Sequence, residues 1–204
     1  MSYPSGQEIW QYLMVYIDNE IGVACLMGNL YAESGLLPFR KQGDNDSEHN
    51  YPVSHQYTAD VNDGTISEST FVNVSIGYGL AQWTVSSRKQ GLYNISLGSS
   101  PIRGIDNLQA QLEFIVQELN DSYTDVLNTL MNATNFITAS NKVLFDYEAP
   151  QDQGLAEQLK RQNYSIDIYN TYSGLPPVPP HGLRRKMPLY LYTVKQMRYK
   201  KGNL

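Results

Sequence analysis

Ile21-Gly22-Val23-Ala24-Cys25-Leu26-Met27-Gly28-Asn29-Leu30-Tyr31-Ala32-Glu33-Ser34-Gly35 is the run whose reading decides the fold class. Asp18 or Asn19 can cap a helix that begins here, Ile21, Cys25, Gly28 and Ala32 share one face, and Gly35 is a natural stop. The apolar part, residues 21–32, is shorter than the roughly 18 residues a membrane span needs. It also contains Asn29, so the run predicts a core helix that delivers Glu33 and Ser34 to the point where the chain turns. Apolar residues make up 41% of the 204 and charged residues 17%, enough for one domain with a sizeable core and a short appendage. The lone cysteine, Cys25, excludes an intramolecular disulfide framework and a cysteine-cluster metal site. With 15 Lys/Arg against 20 Asp/Glu, the net charge of -5 argues against general nucleic-acid binding. Met1-Ser2-Tyr3-Pro4-Ser5-Gly6 and the residues just after it have neither a basic nor an apolar signal region, so no secretory signal is expected.

Before this helix, Ser5 with Glu8 fits a capping box, and Ile9, Leu13, Tyr16 and Ile17 recur at helical spacing. After it, residues 36–74 are rich in Asp, Asn, Ser, Gly and Tyr without a sustained helical period, and a loop of that length is usually functional. Asn62-Asp63-Gly64 marks a turn, and the alternation in Thr70-Phe71-Val72-Asn73-Val74 predicts a short strand, hence a small β-hairpin region between helices. Helical patterns return beyond Gly77-Tyr78-Gly79-Leu80-Ala81-Gln82-Trp83. Thr84 is placed to cap the first of them, and others pass through Leu108 to Leu119, start at Asp121, open at Thr138, and follow Pro150 to about Tyr172. The class is mainly α with a small β element. Residues 1–173 form the main domain, residues 174–180 a proline-rich linker, and residues 181–204 a tail with seven Lys/Arg and no Asp/Glu.

Glu33 is the first candidate for chemistry. An acid at the negative end of a helix dipole, among Leu30, Ala32 and Leu36, is expected to have its pKa pushed upward and to hold a proton for donation. On position alone a solvated helix-end glutamate is the commoner case. The surroundings change that weighting. Ala32-Glu33-Ser34-Gly35-Leu36, the Gly77–Trp83 element some forty residues later, Ser87-Arg88-Lys89-Gln90 and Phe145-Asp146-Tyr147-Glu148-Ala149-Pro150 together resemble the phage tail lysozyme family over roughly residues 7–172. The resemblance implies a lysozyme-like α+β fold, similar to goose-type lysozymes and lytic transglycosylases. It implies cleavage of the β-1,4 bond between N-acetylmuramic acid and N-acetylglucosamine in peptidoglycan, with Glu33 as general acid. Gln82, Tyr78, Tyr147, Trp83 and Ser34 would contact the glycan, and no metal or other cofactor is implied.

The chain departs from the family pattern at Val74, where relatives often carry an acid, and at Ala149, where an arginine often follows the Tyr-Glu pair. The first weakens the case for a second catalytic carboxylate there; the second implies an altered ion pair near the cleft. Among the loop acids Asp63 is the favoured second carboxylate, because its turn can aim it inward, although a solvated turn aspartate is the more ordinary outcome. If no carboxylate assists, the muramic acid 6-hydroxyl can attack its own anomeric carbon, giving a lytic transglycosylase with 1,6-anhydro products. A non-catalytic glycan-binding or structural tail component on the same scaffold is the third alternative. Asp44, Asp46, Glu48, His49 and His55 lack the spacing of a calcium loop or zinc motif. Expected partners are peptidoglycan strands and, through the basic tail, phage tail or other assembly proteins. The expected location is a virion tail, or the cell wall reached without a signal peptide of its own.

Overall fold

A computed structural model describes residues 5–44 and 51–177. Its centre is α2 (Glu20–Ser34). Asn19 caps this helix by accepting the Gly22 N–H at 2.9 Å, and Gly35, left-handed at φ 69°, ends it. Every residue from Gly22 to Leu30 is buried, because a helix that is apolar all round finds its place only inside the core. Around it pack α1 (Gly6–Ile17), α7 (Thr124–Met131), α8 (Phe136–Lys142) and α9 (Leu155–Tyr172). One π-helical turn (Val143–Glu148) continues directly from α8 and ends at Ala149, which adopts φ 43°.

Gly28 lets α9 approach α2 closely: a Cβ there would lie 2.7 Å from the Ser165 backbone nitrogen and 2.9 Å from its Cα. Backbone cannot yield as a side chain can. Gly28→Ala is therefore expected to lower stability by about 1–3 kcal/mol despite alanine's better helix propensity. In thermal unfolding that corresponds to a fall in Tm of about 2–12 °C, given about 2–4 °C per kcal/mol for a chain of this size.

The strand expected at Thr70–Val74 is helical instead, lying within α4 (Glu68–Asn73) and its C-cap. Ser67 caps that helix by accepting the Thr70 N–H at 3.2 Å, and the adjacent Phe71 and Val72 are both buried, which a strand with alternating faces does not allow. The region read as a loop also contains α3 (Pro52–Asn62), with proline at its start. Among the described residues no sheet forms. β pairing is confined to two isolated antiparallel bridges, Lys41 with Tyr78 and Tyr78 with Trp83. The fold is thus mainly helical, and the small β-hairpin region expected between helices is not confirmed among the described residues.

Several caps also differ from the expected ones. Ser5 is left-handed at φ 58° and forms no side-chain cap, so the capping box with Glu8 does not close. Val85 rather than Thr84 precedes α5 (Ser86–Ser96), the Thr84 hydroxyl donating to the Gln82 carbonyl. Asp121 closes α6 (Leu108–Asp121) rather than opening the next helix, and Asn135 caps α8 by accepting the Thr138 N–H. The far end of the proline-rich linker and the basic tail, like Asp46, Glu48 and His49, lie outside the described residues. Among those described, no helix is long and apolar enough to cross a membrane.

Candidate active site

Helix α2 delivers Glu33 to the rim of the core, where its side chain is 18% exposed. The surroundings are not the purely apolar pocket expected from Leu30 and Leu36. Arg161, from α9 and almost fully buried, forms an ion pair with Glu33 through Nη2 and Oε1. Arg161 is itself held from two sides. Its Nε donates to Glu157 at 2.7 Å, and its Nη1 lies 3.3 Å from Oδ1 of the buried Asn29, one helical turn before Glu33. Asn29 Nδ2 in turn donates to the carbonyls of Cys25 and Ser140. Cys25 is a core residue whose thiol burial pushes up to about 12.

The turn carrying Gln82 is tied to the same helix end. Ser34 Oγ donates to the Leu80 carbonyl at 2.9 Å, so the residue after Glu33 holds the loop. Tyr78 and Trp83 exchange backbone hydrogen bonds of 3.3 and 3.0 Å, closing the turn over residues 79–82. Gly79 sits at φ 77°, and a Cβ on it would lie 2.8 Å from the Gln111 carboxamide. Gln111, buried on α6, fastens the turn from below by accepting the Leu80 N–H and donating to the Pro38 and Ile105 carbonyls. Gln82 is half-buried at φ 44°, and its Nε2 donates to the Arg40 and Gly79 carbonyls, each at 3.0 Å. Its Oε1 accepts no bond among the described residues.

Three aromatic side chains predicted to contact glycan sit beneath this surface. Tyr78 is fully buried and its hydroxyl lies 2.6 Å from Thr58 Oγ1. Trp83 and Tyr147 both donate to Glu118 Oε2, at 2.9 and 2.8 Å. Burial, with the Glu118 charge beside it, pushes the Tyr147 phenol well above its ordinary value, so it stays a donor. Arg88 completes the cluster with two bonds to Glu118, at 2.5 and 2.9 Å, and its guanidinium lies 4.7 Å from the Tyr147 ring centroid. Ser34 is likewise buried, its hydroxyl spent on the Leu30 and Leu80 carbonyls. Asp63 is exposed at the end of α3, and the Thr65 N–H bonded to it at 2.9 Å holds its carboxyl below the usual range.

The reading of the sequence did not single out Arg161, Glu118 or Arg88 as parts of the site, nor Glu148 for a role of its own. Glu148 ends the π-helical turn beside Tyr147, and its Oε1 is sealed from solvent with no hydrogen-bond partner among the described residues. Burial, then the charge of Glu33, pushes its carboxyl well above the ordinary range, against the pull of Arg88 and Arg161. An acid at a helix end, a buried arginine on it, a second, half-buried carboxyl and a glycine-flanked turn tied to the same helix are thus gathered at one end of α2.

A family model described as phage tail lysozyme matches residues 5–172. The chain belongs to the phage tail lysozyme family. No curated protein and no solved structure matches it. Membership supports a lysozyme-like, glycan-degrading function for the chain as a peptidoglycan-acting enzyme, and association with a phage tail. The family match begins one residue before α1 and ends on the last residue of α9, so it takes in both sides of the Glu33–Arg161 pair.

Proposed function

We propose that this phage tail lysozyme cleaves the β-1,4 bond between N-acetylmuramic acid and N-acetylglucosamine, with Glu33 as general acid. The observation that carries this reading is the position of Glu33. It ends the core helix, partly open to solvent, backed by Arg161 and joined through Ser34 to the turn bearing Gln82. The Glu33 carboxyl protonates the glycosidic oxygen, the bond from that oxygen to the anomeric carbon breaks, and the electron pair leaves with the oxygen. Arg161 then stabilises the carboxylate that remains. The Gln82 amide, whose Oε1 accepts no bond among the described residues, suits an N-acetyl or hydroxyl donor on the glycan. Tyr78, Trp83, Tyr147 and Ser34 serve the site from beneath by fixing that turn. In this reading residues 1–173 are the catalytic domain, residues 174–180 a linker, and the basic tail 181–204 the contact for tail or other assembly proteins.

One observation favours a second outcome of the same chemistry. Beside Glu33, Glu157 is occupied by Lys160 and Arg161, and one oxygen of Glu148, Oε1, is sealed from solvent. Neither is placed to hold a water freely against the anomeric carbon, as an inverting hydrolase requires. Attack by the muramic acid 6-hydroxyl needs no such base, because the Glu33 carboxylate can take back its proton. Purified sacculi incubated with the protein are expected to release soluble muropeptides. Mass spectrometry assigns the outcome: 1,6-anhydro ends for transglycosylation, reducing ends for hydrolysis. Sacculi left intact would reduce the chain to a glycan-binding tail component.

A further inference from the structure

Arg88, Arg103 and Arg161 each form an ion pair with a glutamate. Among the described residues Arg40 pairs with no carboxylate, and its Nη1 is sealed from solvent without a hydrogen-bond partner. Asp44, four residues on, is already engaged, its Oδ2 accepting from the Ser54 N–H and hydroxyl at 2.7 and 2.6 Å. The half-buried Arg40 guanidinium lies 4.1 Å from the Tyr51 ring centroid. Phe39 braces Tyr51 at 6.2 Å and itself stacks on His55 at 4.3 Å. The aromatic face attracts the cation, yet a guanidinium that has lost part of its water still lacks an anion. Such a group in a packed protein calls for a physical explanation.

The backbone fixes where this cation stands. Two successive turns lead to it from the end of α2, the Leu37 N–H donating to the Ser34 carbonyl at 3.3 Å and the Arg40 N–H to the Leu37 carbonyl at 3.1 Å. The Arg40 carbonyl accepts from Gln82 Nε2 at 3.0 Å and from the Gly79 N–H at 2.9 Å. Arg40 is therefore a direct neighbour of the Gln82 amide. The sugar chain of peptidoglycan is uncharged, and the anions nearest to it are carboxylates of the peptide stem carried on the lactyl arm of N-acetylmuramic acid. A guanidinium fork matches a carboxylate in both charge and shape. We propose that Arg40, stacked on Tyr51 beside Gln82, binds a carboxylate of this peptide stem, so that the protein recognises the peptide as well as the sugar. The inference rests on the reading of Glu33 and Gln82 as the glycan site. Tyr51, braced by Phe39, holds the fork in place before substrate arrives, which lowers the cost of ordering it on binding.

The test is co-sedimentation of the full chain with purified sacculi free of secondary wall polymers, in a Glu33→Gln background that leaves the substrate intact. Adding Arg40→Gln is expected to weaken binding to untreated sacculi about tenfold, the worth of one charge-assisted hydrogen bond. On sacculi whose stem carboxylates have been converted to amides, the same substitution is expected to change binding less than about twofold, since no anion is left for Arg40 to meet. Comparing the two proteins on each substrate cancels any attraction of the basic tail for the wall. Should Arg40→Gln fail to fold, Arg40→Lys takes its place. It keeps the charge without the fork, and a loss of about threefold is expected on untreated sacculi alone. Equal weakening on both substrates, no weakening on untreated sacculi, or no binding to them at all overturns the proposal. Muropeptide release retained by Glu33→Gln would instead end the reading of Glu33 as the acid while leaving the contrast between untreated and amidated sacculi as it is, so the two failures are distinct.

Discussion

Glu33→Gln protein is expected to release muropeptides from sacculi about 10³-fold more slowly than wild type, the typical worth of a positioned general acid. The substitution keeps the shape and leaves an amide oxygen to accept from Arg161, but it removes the proton that the leaving oxygen needs. Stability should change little, because Arg161 keeps its bonds to Glu157 and Asn29. The informative result is therefore an inactive protein with a thermal transition within a few degrees of wild type. Turnover that survives the change in a zymogram or in the soluble assay would take the acid role away from position 33.

Glu118→Ala is expected to produce the largest loss of stability. That one side chain accepts from Trp83, Tyr147 and Arg88, all buried or nearly so. Removing it strands a buried guanidinium and two buried donors. Breaking a buried ion pair from one side costs about 3–5 kcal/mol. The stranded donors act in the same network, so their costs do not simply add. A fall in Tm of about 6–20 °C follows, at about 2–4 °C per kcal/mol. Glu118→Leu combined with Arg88→Met should recover much of the loss, since it removes the charges together rather than one alone. If the double variant melts no higher than Glu118→Ala, the ion pair is not what holds this layer. Activity is expected to fall with stability in Glu118→Ala, because Trp83 and Tyr147 anchor the Gln82 turn and the segment bearing Glu148.

The part of the site legible in the sequence was the part carried by local signals. The apolar run 21–32, the cap at Asn19 and the stop at Gly35 mark the helix and where it ends, so Glu33 stood out as an acid delivered to a turn. The Gly77–Trp83 element announced itself by its glycines, and the turn needs Gly79 both for its φ of 77° and for room against Gln111. Thr70–Val74 misled because alternation over five residues fits a strand as well as a short helix, and Ser67 with its cap decided between them. Trp83, Tyr78 and Tyr147 were expected at the glycan because the family resemblance implies it, and exposure is not written in a motif. Their burial depends on helices far away in the chain.

By itself the sequence determined that a mainly helical domain is built around one buried helix, that this helix ends in an acid, and that the chain resembles phage tail lysozymes. Each of these follows from neighbours a few residues apart or from a motif read along the chain. Only the tertiary structure decided what the acid faces. Arg161 lies 128 residues from Glu33, and nothing local to either predicts that α9 will cross α2 at Gly28 and bring them together. Packing of distant segments likewise left Oε1 of Glu148 sealed and without a partner among the described residues. Burial and charge pairing belong to the packed molecule, since a side chain loses its water only when other parts of the chain close over it.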